Sequence, residues 1–205
     1  MSAAANPLLI LGSGSPRRVA LMQQVGLPFV QWTSPAPEPA PEGRGPAIHA
    51  LETARLKALA VHQSTRPHYP PVQRTIVIGA DTVVHLDGAV LGKPTDGEDA
   101  ARMLRALSGR THQVYTGVSL VCSEGPRLEA CAETQVKMRT LSQAQIDHYL
   151  ASGEPDDKAG AYGIQGKGAL FIERIEGCYY NVVGLPLALL STSLEKAGYD
   201  FSFSL

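Results

Sequence analysis

A loop of glycine and serine followed by two arginines is the first segment whose residue types could do chemistry. The residues 12–15, Gly-Ser-Gly-Ser, follow a short apolar run and precede the start of a helix. Free backbone N–H groups and the positive end of a helix dipole bind phosphate in such an arrangement. Ser13 and Ser15 add hydroxyl donors, and Arg17 and Arg18 place positive charge where helices usually favour acids. The segment predicts an anion site, and the alternative is a capped helix with two surface arginines.

A carboxylate inside an apolar stretch is the second candidate. Asp81 interrupts the run from Ile76 to Val84. Such a group is costly to bury unless it binds a metal, accepts hydrogen bonds or takes part in proton chemistry. Thr82 would project to the opposite face of the sheet if one strand continues through both residues. The alternative is a turn aspartate between two strands, 75–79 and 82–86.

Further polar groups come from Lys93 and from the glycine-rich loop 154–168. Lys93 lies between a glycine and a proline, and its ammonium could meet a phosphate. In the loop, the amide of Gln165 could contact the edge of a nucleotide base. Asp157 and Lys158 could equally form a local ion pair that holds the loop. A loop this long in a compact domain is usually functional or disordered, and its apolar content favours order.

Alternating strand and helix patterns must position these residues. Strands are expected at 7–11, 29–33, 75–79, 82–86, 111–123, 128–139 and 169–173, and helices at 16–26, 47–62, 96–107, 142–153 and 186–198. The second helix would bury a face that carries Ile48, Leu51, Ala54, Ala58 and Val61. Ser142 and Gln145 have the spacing of a capping box. This mixture predicts an α/β fold with a mixed sheet rather than a purely parallel one.

Composition excludes several classes of protein. The 205 residues carry a net charge of −1 and are 44% hydrophobic, so neither disorder nor nucleic-acid binding through charge alone is expected. The length fits a single domain over residues 1–205. Cys122 and Cys131 could face each other across a hairpin, although two reduced thiols are favoured. The apolar run near the N-terminus is too short for a signal peptide, which predicts a soluble, cytoplasmic protein.

The chain resembles the Maf family, the septum-formation-inhibitor-like nucleoside triphosphate pyrophosphatases. The resemblance rests on segments that occur in the family's order within about residues 8–195. They are Ser13–Arg18, Glu52–Ala58, Gly79–Thr82, Leu91–Pro94, Leu107–His112, Glu154–Gln165 and Val183–Pro186. The fold that this implies is an elongated mixed β-sheet flanked by helices, with a central nucleotide-binding cleft, of the kind shared by Maf and ITPase-like proteins.

The resemblance also implies roles for individual residues. Asp81 matches the family's proton acceptor. Arg17, Thr82 and Gln165 match positions linked to base selection. Arg18, Lys57 and Lys93 match cationic positions around the triphosphate. Ser13 and Ser15, in the loop before Arg18, are also expected to bind the substrate. A second acidic metal ligand falls at Glu38, in a segment that is proline-rich where the family has more acids.

The implied activity is hydrolysis of a nucleoside triphosphate to the monophosphate and pyrophosphate. The loop 154–165 resembles the branch that acts on dTTP and UTP. The alternatives are a pyrophosphatase for 7-methyl-GTP or other modified nucleotides, and a non-catalytic nucleotide-binding regulator of cell division. The expected cofactor is a divalent cation, Mg²⁺ before Mn²⁺, and the expected partners are the nucleotide and a second copy in a homodimer, with no nucleic acid or membrane.

Overall fold

The computed structural model describes residues 6–40, 43–70 and 72–203. The strands are β1 (Leu8–Leu11), β2 (Phe29–Gln31), β3 (Thr75–Leu86), β4 (Ala89–Leu91), β5 (Thr111–Cys122), β6 (Leu128–Met138) and β7 (Ile172–Glu176). The α-helices are α1 (Pro16–Gln24), α2 (Pro46–Thr65), α3 (Gly97–Leu107), α4 (Gln143–Leu150), α5 (Tyr179–Val183) and α6 (Leu187–Lys196). The mixed α/β class expected from the sequence is confirmed.

The seven strands form one mixed sheet in the order β2-β1-β3-β5-β6-β7, with β4 paired to β3. The pairs β1–β2 and β1–β3 are parallel. The pairs β3–β4, β3–β5, β5–β6 and β6–β7 are antiparallel. The central strand β3 is buried along most of its length, which explains its nearly continuous apolar sequence.

Helix α2 covers one face of the sheet and approaches it closely at two glycines. A side chain at Gly79 would overlap the backbone of α2 at Ala54, and one at Gly117 would overlap the backbone at Ala50. Because glycine has no Cβ, these two positions let the helix lie directly on β3 and β5. On the other face, α1, α5 and α6 pack at one end of the sheet and α3 and α4 at the other.

Several expected boundaries are wrong. Residues 75–86 form one continuous strand, so Asp81 is not a turn residue. The last strand begins at Ile172 and not at residue 169, because residues 166–171 form a 3₁₀-helix. The short helix α5 was not expected. The predicted apolar face of α2 is confirmed at Ala54, Ala58 and Val61, which are buried, but it is wrong at Ile48, which is 56% exposed.

Other local expectations are confirmed. Asp96 caps α3 by accepting a hydrogen bond from the backbone of Asp99, and Ser142 forms the capping box of α4 with Gln145. The three cysteines are free thiols, and Cys131 lies opposite Gly117 in the β5–β6 ladder rather than opposite Cys122. Among the helices in the described ranges, none has the length and apolar character that crossing a membrane would need.

Candidate active site

The glycine–serine loop joins the end of β1 to the start of α1 at the carboxyl edge of the parallel strands. Ser15 occupies the N-cap position, but its side chain makes no capping hydrogen bond. Instead the backbone N–H of Ser15 donates to Oγ of Ser13 at 3.2 Å, which closes the loop on itself. Pro16 begins the helix, and the absence of acids in the first turn leaves its positive end uncompensated by side chains of the helix itself.

Arg18 ties this loop to two other parts of the fold. Its Nη1 donates to Oγ of Ser13 at 3.1 Å and its Nη2 to Oγ1 of Thr82 at 3.1 Å. Its Nε donates to the carbonyl of Gly184 at 2.8 Å. Burial lowers the pKa of Arg18, and the negative charge of Asp81 partly opposes this shift. Three of the five guanidinium N–H groups are therefore used inside the protein, and two remain for a ligand.

A cluster of two carboxylates and two ammonium groups forms on the α2 side of the sheet. Nζ of Lys57 donates to Oδ1 of Asp81 at 2.7 Å and to Oε1 of Glu38 at 2.8 Å. Nζ of Lys93 lies 3.7 Å from the same Glu38 oxygen. The hydrogen bond from Lys57 is the largest reason why the pKa of Glu38 lies below its usual value, although burial opposes the shift. The proline-rich segment thus brings Glu38 into contact with Lys57 and Lys93, next to Asp81.

The loop after α4 is organised by the carboxylate of Glu154. Its Oε1 accepts hydrogen bonds from the hydroxyl of Tyr149 and the backbone N–H of Gly168, and its Oε2 accepts from the backbone N–H of Lys167. These bonds enclose the turn that contains Gln165. Backbone and side-chain donors together keep the pKa of Glu154 low against the opposing effect of burial.

Asp157 links this loop to the first helix. Its Oδ2 accepts from Nη1 of Arg17 at 2.9 Å, and its Oδ1 accepts from Nζ of Lys158 at 2.7 Å. The local ion pair with Lys158 that the sequence left open is therefore present. In addition, the bond to Arg17 spans the mouth of the cleft between α1 and the loop.

One cleft collects every residue that the sequence singled out for a site. It has a volume of about 530 Å³. The predicted residues along its walls are Ser13, Ser15, Arg17, Arg18, Glu38, Lys57, Asp81, Thr82, Lys93 and Gln165. These residues come from segments far apart in the chain, and their roles stay predictions.

The cleft has two chemically different sides because β3 passes through it. Asp81 faces α2 and the acid–cation cluster, whereas the next residue, Thr82, faces Arg18 on the opposite side of the sheet. On the Thr82 side the wall is largely apolar, with Val84, Val114 and Val182 beside the loop that carries Gln165. An apolar wall with a few polar groups is typical of small-molecule sites.

Two buried polar residues of the cleft, His49 and Thr53, were not expected from the sequence. Both are buried and both line the α2 side. They lie at positions i and i+4 relative to Lys57 at i+8, which places the three side chains on one helical face. That spacing is visible in the sequence, but the apolar pattern drew only Ile48, Leu51, Ala54, Ala58 and Val61 to the buried face.

The donor set of the cluster fits a divalent metal that binds together with a phosphate ligand. Oε1 of Glu38 and Oδ1 of Asp81 both accept from Nζ of Lys57, at 2.8 and 2.7 Å. The distance between the two oxygens is therefore no larger than the sum of these two distances. Mg²⁺ is commonly held by one or two carboxylates with the remaining positions taken by water and substrate phosphates. Within the described ranges, no group of three or more acidic, histidine or cysteine side chains could hold a metal alone.

The fold and the site together define a class: an α/β protein whose sheet carries a cleft lined by cationic side chains and carboxylates. Comparison with known sequences narrows this class. The sequence pattern of the Maf-like protein family matches residues 8–197, and the chain belongs to this family.

Relatives match over nearly their whole length. A protein of Symbiobacterium thermophilum is 51% identical over 191 residues, which is 93% of this chain and 94% of the relative. One of Dictyoglomus thermophilum is 46% identical over 193 residues, or 94% and 97% of the two chains. Both relatives are named dTTP/UTP pyrophosphatase. A solved HAM1 protein of Coxiella burnetii covers 93% of this chain and 99% of its own, with 17% identity and a TM-score of 0.49.

Proposed function

We propose that the protein hydrolyses dTTP and UTP to the nucleoside monophosphate and pyrophosphate. The observation that carries the proposal is the convergence of Arg17, Arg18, Lys57 and Lys93 with two carboxylates on one cleft. A nucleoside triphosphate carries its charge on the phosphates and its apolar surface on the base. The acid–cation cluster matches the phosphates and the apolar wall matches the base, and Arg18 adds positive charge on the side of the apolar wall. The names of the relatives support the same substrates.

In the proposed reaction, water attacks the α-phosphorus, the bond to the bridging oxygen breaks, and pyrophosphate leaves. Asp81 accepts the proton of the attacking water, and Lys57 fixes the carboxylate through its 2.7 Å hydrogen bond. The cationic side chains neutralise the charge that develops on the phosphate oxygens. Such positioning and charge stabilisation supply most of the catalysis in phosphoryl transfer.

A divalent cation, Mg²⁺ before Mn²⁺, would be held by Glu38 and Asp81. When bound, it would make the attacking water more acidic and neutralise phosphate charge. Lys57 has a second task, because its ammonium bonds to both carboxylates. It lowers their mutual repulsion.

Arg17, Thr82 and Gln165 would select the base. Gln165 carries an amide that both donates and accepts, and the bonds of Glu154 hold its turn in place. Thr82 is fixed by Arg18 and by the hydroxyl of Thr116 at 2.9 Å. A pre-formed arrangement of this kind discriminates between bases because a mismatched base leaves buried polar groups unpaired.

The test is a screen for pyrophosphate release from purified protein with standard and modified nucleoside triphosphates, including 7-methyl-GTP. We expect dTTP and UTP to be the best substrates in the presence of Mg²⁺. Preference for 7-methyl-GTP would assign the protein to the other branch. Nucleotide binding without turnover, across several metals, would favour the regulatory alternative.

The variant Asp81→Asn tests the catalytic assignment. It keeps the size of the side chain but removes the proton acceptor and one negative metal ligand. We expect turnover to fall by at least about a hundredfold, as is typical for loss of a general base. Turnover at the wild-type rate in a folded variant would rule out this role.

The homodimer and the cytoplasmic location stay predictions, which sedimentation and cell fractionation would test.

A further inference from the structure

Three side chains of α2 form a row along the floor of the cleft. His49, Thr53 and Lys57 are separated by four residues each, so they lie about one helical turn apart on the same face. They are 8%, 1% and 9% exposed, and all three line the cleft. The proposed function uses only Lys57, which leaves the other two polar groups without a task.

The hydroxyl of Thr53 is buried and has no hydrogen-bond partner among the described residues. Threonines inside helices commonly bond to a carbonyl one turn earlier, and other threonines of this protein do so: Thr65 bonds to the carbonyl of Val61 at 2.8 Å. A buried hydroxyl without a partner costs stability. Thr53 also lines the cleft, so a ligand in the cleft is the partner to test.

The surroundings of the row indicate the chemistry of that ligand. Thr53 and His49 share α2 with Lys57 and so lie on the side of β3 that holds the acid–cation cluster, whereas Thr82 and Val84 lie on the other side. His49 is the fourth residue of α2, close to the positive end of the helix. A hydroxyl and an imidazole can both donate hydrogen bonds, and donors near a helix N-terminus favour an anion.

We propose that Thr53 and His49 form a subsite for the pyrophosphate part of the substrate. Thr53 Oγ1 and a ring N–H of His49 donate to oxygens of the β- and γ-phosphates, next to the contacts of Lys57. The inference rests on the proposed function, because it places the leaving group along α2 and the nucleoside along the apolar wall. After hydrolysis the same donors retain pyrophosphate until it dissociates.

The experiment compares Thr53→Val with Thr53→Ser. Valine has nearly the same shape and no hydroxyl, whereas serine keeps the donor. Thr192→Val is the matched control, because it removes a hydroxyl from the exposed side of α6, away from the cleft. For each protein we would measure the KM for dTTP, the binding of inorganic pyrophosphate and of dTMP by calorimetry, and the thermal midpoint.

We expect Thr53→Val to weaken pyrophosphate binding by about tenfold or more, the effect of one hydrogen bond to a charged group. Binding of dTMP should change by less than about twofold, and Thr53→Ser and Thr192→Val should bind pyrophosphate as the wild type does. The thermal midpoint of Thr53→Val should be unchanged or higher, because the variant removes an unpaired buried hydroxyl. His49→Gln, which keeps an N–H donor, should retain more pyrophosphate affinity than His49→Leu.

Unchanged pyrophosphate binding by Thr53→Val would overturn the subsite, and so would an equal or larger loss of dTMP binding. A wild-type protein that does not bind pyrophosphate at millimolar concentration would overturn it as well. Failure of the proposed function is a separate outcome. In that case the wild type would release no pyrophosphate from any triphosphate, while the calorimetric comparison of the variants would still decide the subsite.

Discussion

Replacing Lys57 by methionine should destabilise the protein strongly at neutral pH and less strongly in acid. In the wild type the ammonium bonds to Asp81 at 2.7 Å, and the two side chains are only 11% and 12% exposed. Methionine fills a similar volume but leaves the Asp81 carboxylate buried without its partner. Removing one member of a buried ion pair costs about 3–5 kcal/mol.

We expect a loss of stability of about 3 kcal/mol, the lower end of the range for buried ion pairs, because the cleft admits water to Lys57 and Asp81. For a chain of this length, about 3 kcal/mol corresponds to a decrease of roughly 6–12 °C in the thermal midpoint. The second contact of Lys57, to Glu38, adds little to this figure, since the Glu38 side chain is 52% exposed and is screened by solvent.

The sign of the pH dependence follows from Glu38. In the wild type the pKa of Glu38 is lowered, so the stability from this group is present above the usual carboxylate range and is lost as the pH falls. In Lys57→Met this loss becomes smaller, because only the charges of Lys93 and Arg18 still lower the pKa of Glu38. The difference in stability between wild type and variant should therefore narrow between pH 7 and pH 4.

Urea denaturation at pH 7, 5.5 and 4 measures this difference directly. The matched control is Lys93→Met, because Lys93 approaches the same Glu38 oxygen at 3.7 Å but is 58% exposed. It should cost no more than about 1 kcal/mol at any pH. Equal effects of the two substitutions would refute the argument that Lys57 compensates a buried carboxylate, and a difference that does not change with pH would refute the effect of Lys57 on the pKa of Glu38.

Three further predictions concern the scaffold. Gly79→Ala should destabilise the protein by about 3 kcal/mol or more in urea denaturation because its Cβ would overlap the backbone of α2, whereas Gly97→Ala, in open space, should be neutral or stabilising. Burial lowers the pKa of His112 to about 4, so the wild type should lose about 2 kcal/mol between pH 7.5 and pH 5 as the unfolded state takes up a proton; urea midpoints of His112→Gln should lack this dependence. Glu154→Gln should speed hydrogen exchange at the backbone amides after Gln165 by tenfold or more, and an unchanged exchange rate would contradict the role of the carboxylate.

Local signals in the sequence predicted the parts of the fold that depend on neighbouring residues. The caps at Asp96 and Ser142 were predictable because each N-cap bond joins residues three positions apart. The β5–β6 hairpin was predictable from two apolar runs around one turn. The boundary at residues 169–173 was wrong because the same residues also suit a 3₁₀-helix once Glu154 binds the preceding turn.

Features set by distant contacts could not be derived from the sequence pattern. Asp81 suggested a break between two strands, but pairing with β5 on one side and Lys57 on the other keeps the strand continuous. The buried face of α2 is set by the close approach at Gly79 and Gly117, which turns His49 and Thr53 into the cleft and Ile48 out of it. The convergence of the site residues was expected through resemblance to a family, not through spacing.

The two glycines under α2 also have a consequence for how the sheet assembles. The ladder between β3 and β5 pairs Gly79 with Ser119 and Asp81 with Gly117. A shift of β3 by one residue would put Ile78 or Ala80 in place of Gly79, and α2 could no longer dock. It would also exchange the acid and the hydroxyl between the faces of the sheet. Close packing of α2 is therefore compatible only with the register that puts Asp81 and Thr82 on their observed faces of the sheet.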